Sequence, residues 1–240
     1  MSAKKVSAAK SADEQKKEAA LEALKLVKPG MSLGLGTGST ANHFIRALGE
    51  KVKEGLEVRG VPTSRATAEL AKELGIPLTT LGDHPFLDLC VDGADEFDDK
   101  LRLIKGGGGA LLIEKIVATS AKEVVIITDE SKRVKTLGKF PLPIEIVNMG
   151  IKATAWKLER AFRMLGMNPK MVLRMKDGQA FRTDMGNVIV DAACDEIKEP
   201  ERLEFMLNNI PGVVNNGLFI GIASRVIMAT SKGTQEITAT

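Results

Sequence analysis

The glycine-rich segment at residues 34–40 has the residue types that bind phosphate. It reads Gly-Leu-Gly-Thr-Gly-Ser-Thr and lies where a predicted strand passes into a predicted helix. Glycine lets backbone N–H groups approach an anion, the helix N-terminus adds positive potential, and the hydroxyl groups can donate hydrogen bonds. The segment lacks the Gly-Lys-Ser/Thr ending of a P-loop, and Ser39 replaces the third glycine of the dinucleotide-binding pattern. The alternative is a glycine-rich turn with a helix-capping hydroxyl.

A cluster of acidic side chains follows a predicted apolar strand and begins with Asp92. In open α/β sheets, ligands bind outside the carboxyl ends of the strands, so Asp92 is expected at the rim of the same crevice as the glycine-rich segment. For Glu96, Asp98 and Asp99 we expect a solvated loop or a helix cap.

Lys105 and the four glycines after it form a third segment, which leads into an apolar helix predicted for residues 110–118. Such a glycine run is conformationally expensive, so a ligand wrapped by the backbone explains it better than structure alone. Glu114 lies on the apolar stripe of this helix, where desolvation would raise its pKa toward the range of a general base. The alternative is a pair of Glu114 and Lys115 on a solvated edge of the helix.

Composition and charge exclude several classes of function. Of the 240 residues, 44% are hydrophobic and 27% are charged, which is ordinary for a globular protein. The net charge of +3 and the absence of tyrosine argue against nucleic acid as a partner. No apolar run approaches the roughly 18 residues needed to span a bilayer, so no membrane partner is expected.

Metal binding and disulfide formation are also not expected. His43 and His84 are the only histidines, and neither has ligand spacing with the acidic residues. Cys90 and Cys194 lie in apolar stretches without metal-binding spacing, which indicates reduced thiols and a cytoplasmic protein.

The elements that must position these segments alternate between strand and helix up to residue 138, which predicts an α/β fold with an open, mostly parallel, Rossmann-like sheet and helices on both faces. Residues 139–212 have the order β-α-β-β-α, which predicts a smaller α+β lobe of the split βαβ, ferredoxin-like type. Residues 213–240 are expected to return to the first domain, which spans residues 1–138. A capping box at residues 11–14 predicts the first helix, and residues 1–10 are expected to form a dispensable tail.

Taken together, these segments resemble ribose-5-phosphate isomerase, type A. The resemblance rests on the following motifs, which occur in the family's order and spacing: Gly-Thr-Gly-Ser-Thr at 36–40, Asp-Gly-Ala-Asp-Glu at 92–96, Lys-Gly-Gly-Gly at 105–108, Glu114-Lys115, Ser131-Lys132 and Leu-Gly-Lys-Phe-Pro-Leu-Pro at 137–143. It extends from about residue 21 to residue 219.

The resemblance implies that D-ribose 5-phosphate and D-ribulose 5-phosphate interconvert in the non-oxidative pentose phosphate pathway, without metal or organic cofactor. It also implies a homodimer or homotetramer. Glu114 would be the base, Lys105 and the glycine amides would stabilise the enediolate, and Asp92 would assist ring opening and proton traffic. The implied substrate-binding residues are Thr37, Gly38, Ser39, Thr40, Asp92, Gly93, Ala94, Asp95, Lys105, Gly106, Gly107, Gly108 and Lys132. Two weaker alternatives are amino-sugar phosphate deamination and a sugar-phosphate sensing module of a transcription regulator.

Overall fold

Helices and strands alternate along most of the chain. A computed structural model describes residues 10–239, so all but the last residue of the tail expected at residues 1–10 lies outside the described residues. The helices are α1 (Ala12–Leu24), α2 (Ser39–Lys53), α3 (Arg65–Glu73), α4 (Leu111–Thr119), α5 (Ile151–Met164) and α6 (Pro200–Asn208). The strands are β1 (Ser32–Leu35), β2 (Arg59–Pro62), β3 (Leu89–Asp92), β4 (Glu96–Phe97), β5 (Leu103–Ile104), β6 (Val124–Asp129), β7 (Leu142–Ile146), β8 (Lys170–Leu173), β9 (Met175–Lys176), β10 (Gln179–Ala180), β11 (Val188–Ala193), β12 (Val213–Asn216), β13 (Leu218–Phe219), β14 (Arg225–Thr230) and β15 (Gly233–Thr238).

A six-stranded sheet with the order β15-β14-β6-β3-β1-β2 forms the centre of the molecule. All neighbouring strands are parallel except β15, which pairs antiparallel with β14 at one edge. The chain moves from β1 to β2 on one side and later to β3 on the other, so the strand order reverses between β1 and β3. Loops that follow these two strands therefore diverge and leave a crevice at their carboxyl ends.

Both faces of the central strands are buried, because successive residues of β3, β6 and β14 enter different hydrophobic clusters. Leu33 and Leu35 of β1 pack with Phe44 and Leu48 of α2 and with the alanines of α1. On the opposite face, the intervening strand residues pack with Val117 and Ala118 of α4. The prediction of a mostly parallel sheet with helices on both faces is confirmed. The capping box that starts α1 is also present, since Ser11 and Glu14 exchange hydrogen bonds.

A second, antiparallel sheet has the order β12-β7-β11-β8 and carries α5 and α6 in the chain order of a split βαβ lobe. We expected residue 213 to begin the return to the first sheet, but Val213–Asn216 instead pairs with β7. The physical reason is that the β-α-β-β-α order leaves one edge of β7 unpaired until a sixth element covers it. The chain rejoins the central sheet only at Arg225–Thr230. The division into separate domains remains a prediction.

A three-stranded sheet, β13-β5-β4, was not anticipated from the sequence; its residues Ile104 and Leu218 pack in the core of the second sheet, and Leu103 and Phe219 pack against the central sheet. A short hairpin, β9–β10, interrupts the connection from β8 to β11. Within residues 10–239, no helix combines the length and apolar character needed to cross a membrane.

Candidate functional site

The loop after β1 and the end of β3 approach each other so closely that only glycine is tolerated at residue 36. A Cβ atom there would lie 2.2 Å from Oδ1 of Asp92. The backbone N–H of Thr37 donates a hydrogen bond of 3.0 Å to that same carboxylate oxygen. The glycine-rich loop is therefore held against the acidic segment, as the position of both at strand ends predicted.

The hydroxyl group of Thr37 points into a cluster of other hydroxyl groups. Its Oγ1 atom lies 2.7 Å from Oγ1 of Thr63, 2.8 Å from Oγ of Ser64 and 3.1 Å from Oγ1 of Thr67. The hydroxyls of Thr63 and Thr67 donate in turn to backbone carbonyls of the β1 end and its loop. This cluster fixes the loop from behind, so Thr37 differs from the loop residues whose side chains are free to meet a ligand.

Asp92, Lys105 and Glu114 form a buried charged triad beside the loop. The Nζ atom of Lys105 lies 3.0 Å from Oδ2 of Asp92 and 3.4 Å from Oε1 of Glu114. It also donates a hydrogen bond of 2.7 Å to the carbonyl of Gly93. These three residues are 1%, 3% and 4% exposed, respectively, so their charges act on one another in a low-dielectric environment.

Burial and neighbouring charges shift the pKa values within this triad. Burial raises the pKa of Glu114 above the ordinary value; Lys105 opposes the shift and Asp92 adds to it. Burial alone would lower the pKa of Lys105, but the charges of Asp92 and Glu114 raise it above its ordinary value. Lys105 therefore stays protonated, whereas Glu114 can accept a proton more readily than an exposed glutamate.

Glu114 has one carboxylate oxygen without a hydrogen-bond partner among the described residues, Oε2, and the residue lines the pocket. The alternative of a solvated Glu114–Lys115 pair is wrong. Lys115 is buried, donates hydrogen bonds of 2.9 Å and 2.7 Å to the carbonyls of Asn216 and Leu218, and pairs with Glu204 at 3.6 Å. Glu114 and Lys115 therefore have different partners, and Glu114 keeps one carboxylate oxygen without a partner among the described residues.

The glycine run after Lys105 wraps one side of the pocket. Gly106 has a φ of 108°, in the region that glycine adopts most easily, and its carbonyl accepts the N–H of Gly109. The N–H of Gly107 donates a hydrogen bond of 2.8 Å to Oδ2 of Asp95. That N–H is therefore already engaged, so it is not a free donor of the kind the sequence suggested, and Asp95 is held in place by the loop.

The pocket unites nearly all the residues that the sequence singled out. Its lining consists of Lys16, Thr37, Gly38, Ser39, Thr40, Gly93, Ala94, Asp95, Lys105, Gly106, Gly107, Gly108, Glu114 and Lys132. Asp92 is absent from that lining, but it is buried against the lining residue Lys105. Lys132 reaches the pocket from a 3-10 turn directly after β6, capped by Asp129.

Lys16 is the lining residue that sequence reasoning missed. It belongs to α1, and its Nζ atom lies 3.1 Å from Oγ of Ser39 in the glycine-rich loop. Nothing in its local sequence distinguishes it from Lys17 beside it, because only the packing of α1 beside α2 brings it to the site.

The expectation of a solvated loop is wrong for two of the later acidic residues. Glu96 is buried and accepts the backbone N–H groups of Gly138 and Phe140. Asp98 is buried and pairs with Arg102. The N–H groups that bind Glu96 come from a segment about 40 residues later, which the local sequence does not reveal, whereas the guanidinium that binds Asp98 lies only four residues after it. Only Asp99 is exposed.

The two histidines lie at the surface and do not contact the buried charged triad. His43 pairs with Asp13, and His84 lies 2.6 Å from a guanidinium nitrogen of Arg59. In the described part of the chain, no group of three or more His, Cys, Asp or Glu residues is arranged to hold a metal ion.

Comparisons with known proteins agree on one family. Residues 59–233 match the family model of ribose 5-phosphate isomerase A, also called phosphoriboisomerase A. A ribose-5-phosphate isomerase A of Parvibaculum lavamentivorans is 59% identical over 229 residues, which span 95% of this chain and 99% of that relative. A solved D-ribose-5-phosphate isomerase in complex with phospho-erythronic acid superposes with a TM-score of 0.90 at 42% identity and covers 95% of this chain and 100% of its own. The ribose 5-phosphate isomerase A of Neisseria gonorrhoeae has a TM-score of 0.87 at 40% identity, over 96% of this chain and 98% of its own.

Proposed function

The chain belongs to the ribose 5-phosphate isomerase A family, and we propose that it interconverts D-ribose 5-phosphate and D-ribulose 5-phosphate with Glu114 as the general base. The observation that carries this proposal is the free Oε2 atom of a buried glutamate in a pocket that also holds a charged lysine. An aldose–ketose isomerase needs a base beside a group that stabilises negative charge on oxygen. Glu114 and Lys105 supply these two functions.

The proton transfer begins with Glu114 in its ionised form. Its carboxylate removes the proton from C2 of the open-chain aldose, and the electron pair moves through the C1–C2 bond onto O1 to give an enediolate. Protonated Glu114 then delivers a proton to C1, which leaves the ketose and restores the ionised carboxylate. Asp92 assists ring opening and moves the hydroxyl proton between O2 and O1.

Negative charge on the enediolate oxygens is stabilised by Lys105 and by backbone N–H groups of the glycine run. Lys105 is well suited to this task because its raised pKa keeps it cationic over the working pH range. A related structure supports the assignment, since it was solved with phospho-erythronic acid, which carries a carboxylate at the end away from its phosphate.

The phosphate and the sugar hydroxyls bind at opposite ends of the pocket in this proposal. Lys16, Lys132 and the residues Gly38, Ser39 and Thr40 hold the phosphate, because two cations and a helix N-terminus meet there. Asp95 holds sugar hydroxyls together with the backbone of Gly93 and Ala94. Thr37 contributes its backbone, since its hydroxyl is engaged in the cluster behind the loop.

We also propose a homodimer or homotetramer in the cytoplasm. Large apolar side chains on the surface of the smaller lobe support an assembly, among them Met149, Trp156 and Phe205. Cys90 and Cys194 are free thiols, in keeping with a reducing compartment. Sedimentation analysis of the purified protein tests the assembly, and a monomer at micromolar concentration would contradict it.

The proposed function is tested by incubating the purified, chelator-treated protein with D-ribose 5-phosphate in deuterated water. We expect ketose to form and deuterium to enter the carbon skeleton, because the proton on Glu114 can exchange with solvent during turnover. Binding without ketose formation would indicate a sensor and contradict the proposal. Release of ammonia from an amino-sugar phosphate, without action on ribose 5-phosphate, would favour a deaminase.

A further inference from the structure

Arg174, from the smaller lobe, binds the glycine run of the pocket. It follows β8 and donates through Nε and Nη2 to both carboxylate oxygens of Asp191 on β11. Its remaining terminal nitrogen, Nη1, donates hydrogen bonds of 2.9 Å to the carbonyl of Gly106 and 3.1 Å to the carbonyl of Gly107. One guanidinium therefore joins the lobe sheet to two consecutive peptide groups at the site.

The orientation of those two carbonyls determines where two N–H groups point. The described peptide bonds are trans, so the C=O of one residue and the N–H of the next lie on opposite sides of the peptide plane. When Arg174 holds the carbonyl of Gly106, the N–H of Gly107 faces away from it, and this group does meet Asp95 at 2.8 Å. By the same geometry, the N–H of Gly108 faces away from Arg174.

The N–H of Gly108 is the donor that remains for a ligand. All three of Gly106, Gly107 and Gly108 line the pocket, but only Gly107 and Gly108 are exposed, whereas Gly106 is buried. Neither the loop nor its surroundings supplies a side-chain acceptor to Gly108 among the described hydrogen bonds. A glycine run without an external partner would be free to rotate its peptide planes, because glycine has few steric restrictions.

We propose that Arg174, held by Asp191, is a positioning residue that aims the Gly107 N–H at Asp95 and the Gly108 N–H at the enediolate oxygens. This inference rests on the proposed function, since it assigns part of the charge stabilisation in that reaction. Arg174 does not touch the substrate; it acts through the peptide groups. The bidentate bond to Asp191 matters because it fixes the guanidinium plane from which Nη1 reaches the loop.

The test compares two non-reacting ligands that differ at the reacting end. Phospho-erythronate carries a carboxylate, which needs the aimed N–H, whereas ribitol 5-phosphate carries a neutral hydroxyl. In Arg174→Gln we expect the calorimetric affinity for phospho-erythronate to fall about tenfold or more and that for ribitol 5-phosphate to change less than about threefold. We also expect kcat to fall at least about tenfold with little change in KM.

Arg174→Lys separates charge from geometry. A lysine keeps the positive charge but cannot hold Asp191 with two nitrogens and reach the glycine carbonyls with a third. We therefore expect it to lose affinity for phospho-erythronate nearly as much as the glutamine variant. Normal affinity in Arg174→Lys would show that charge alone matters and would contradict the positioning role.

Arg102→Gln is the matched control. Arg102 pairs with Asp98 and its side chain is 16% exposed, against 15% for Arg174 paired with Asp191, but Arg102 has no bond to the glycine run. We expect its ratio of the two affinities to equal that of the wild type. The inference would be overturned if Arg174→Gln lost affinity for both ligands equally, or for neither. It would also be overturned if Arg102→Gln showed the same selective loss of affinity for phospho-erythronate.

If Arg174→Gln does not fold, the same two affinities are measured in Asp191→Asn. A wild-type ratio of the affinity for phospho-erythronate to that for ribitol 5-phosphate in folded Asp191→Asn contradicts the inference. Wild-type turnover of ribose 5-phosphate is measured in parallel. Absence of wild-type turnover would count against the proposed function, whereas normal wild-type turnover with an unaltered ratio in the variant would count against the role of Arg174 alone.

Discussion

The ammonium group of Lys105 lies 3.4 Å from one carboxylate oxygen of Glu114, and both side chains are almost completely buried. The contact leaves the other oxygen of Glu114 for the pocket. Because water is excluded, the charge of Lys105 acts strongly on the glutamate and on any anion that forms beside it. The proton affinity of the proposed base therefore depends on its neighbours, which can be changed one at a time.

The first prediction concerns the acidic limb of the pH profile of kcat/KM. Activity requires ionised Glu114, so it is lost as the pH falls through the raised pKa of this residue. Asp92 raises that pKa and Lys105 lowers it. The limb should therefore move to lower pH in Asp92→Asn and to higher pH in Lys105→Met.

Residual activity of both variants across the acidic range, measured against the wild type, checks this prediction. The substrate phosphate ionises in the same range for every variant, so its contribution cancels in the comparison. Movement of both limbs in the same direction would show that Glu114 does not control them.

The second prediction concerns Gly36. Its Cβ position lies 2.2 Å from Asp92 Oδ1 and 2.6 Å from Asp92 Cα, so Gly36→Ala must displace either the loop or the end of β3. A displacement of about 1 Å in a catalytic site can cost about 10²-fold, and we expect kcat/KM to fall by about that factor. Gly82→Ala serves as the control, because its nearest contact would be 3.4 Å. Normal kinetics in Gly36→Ala would mean that this close approach is not needed.

The third prediction concerns Lys16. Because it donates to Ser39 at the proposed phosphate end, Lys16→Met should raise KM for ribose 5-phosphate by about tenfold or more while kcat changes little. Lys17→Met changes the adjacent, exposed lysine of the same helix and should leave both constants unaltered. Steady-state kinetics at two ionic strengths check it. An equal effect of the two substitutions would argue for a general charge effect and against a direct contact.

The sequence predicted the parts of the site that lie within a few residues of a strand end. Asp92 and the glycine-rich loop follow β3 and β1, and parallel pairing alone brings such ends together. The desolvation of Glu114 followed from the apolar stripe of its helix. Both expectations depend on local pattern, which a single sequence displays.

Residues brought to the site by packing between distant elements could not be predicted in this way. Lys16 reaches the loop because α1 packs against α2, and Arg174 reaches it from another sheet. Glu96 looked solvated because its neighbours in the sequence are acidic, yet its carboxylate is covered by the backbone of residues 138 and 140. Val213–Asn216 looked like part of the return to the first sheet because an apolar run does not reveal which edge it will cover.

The fourth and central prediction is that Glu114→Gln removes the base but preserves the binding site. The amide keeps the shape of the side chain and cannot accept the C2 proton, so kcat should fall by about 10² to 10⁴-fold. The phosphate of the ligand is held by other residues, so the affinity for ribitol 5-phosphate should change by less than about tenfold, or about 1.4 kcal/mol. Glu145→Gln, at a similarly buried glutamate outside the pocket, is the control.

Exchange of the C2 hydrogen of ribose 5-phosphate with deuterated solvent tests this account most directly, because it reports the proton transfer itself. In Glu114→Gln we expect exchange to fall in parallel with turnover, while calorimetry still detects ribitol 5-phosphate and the unfolding temperature stays near that of the wild type. Glu145→Gln should exchange normally. Wild-type exchange in folded Glu114→Gln would contradict the assignment of Glu114 as the base.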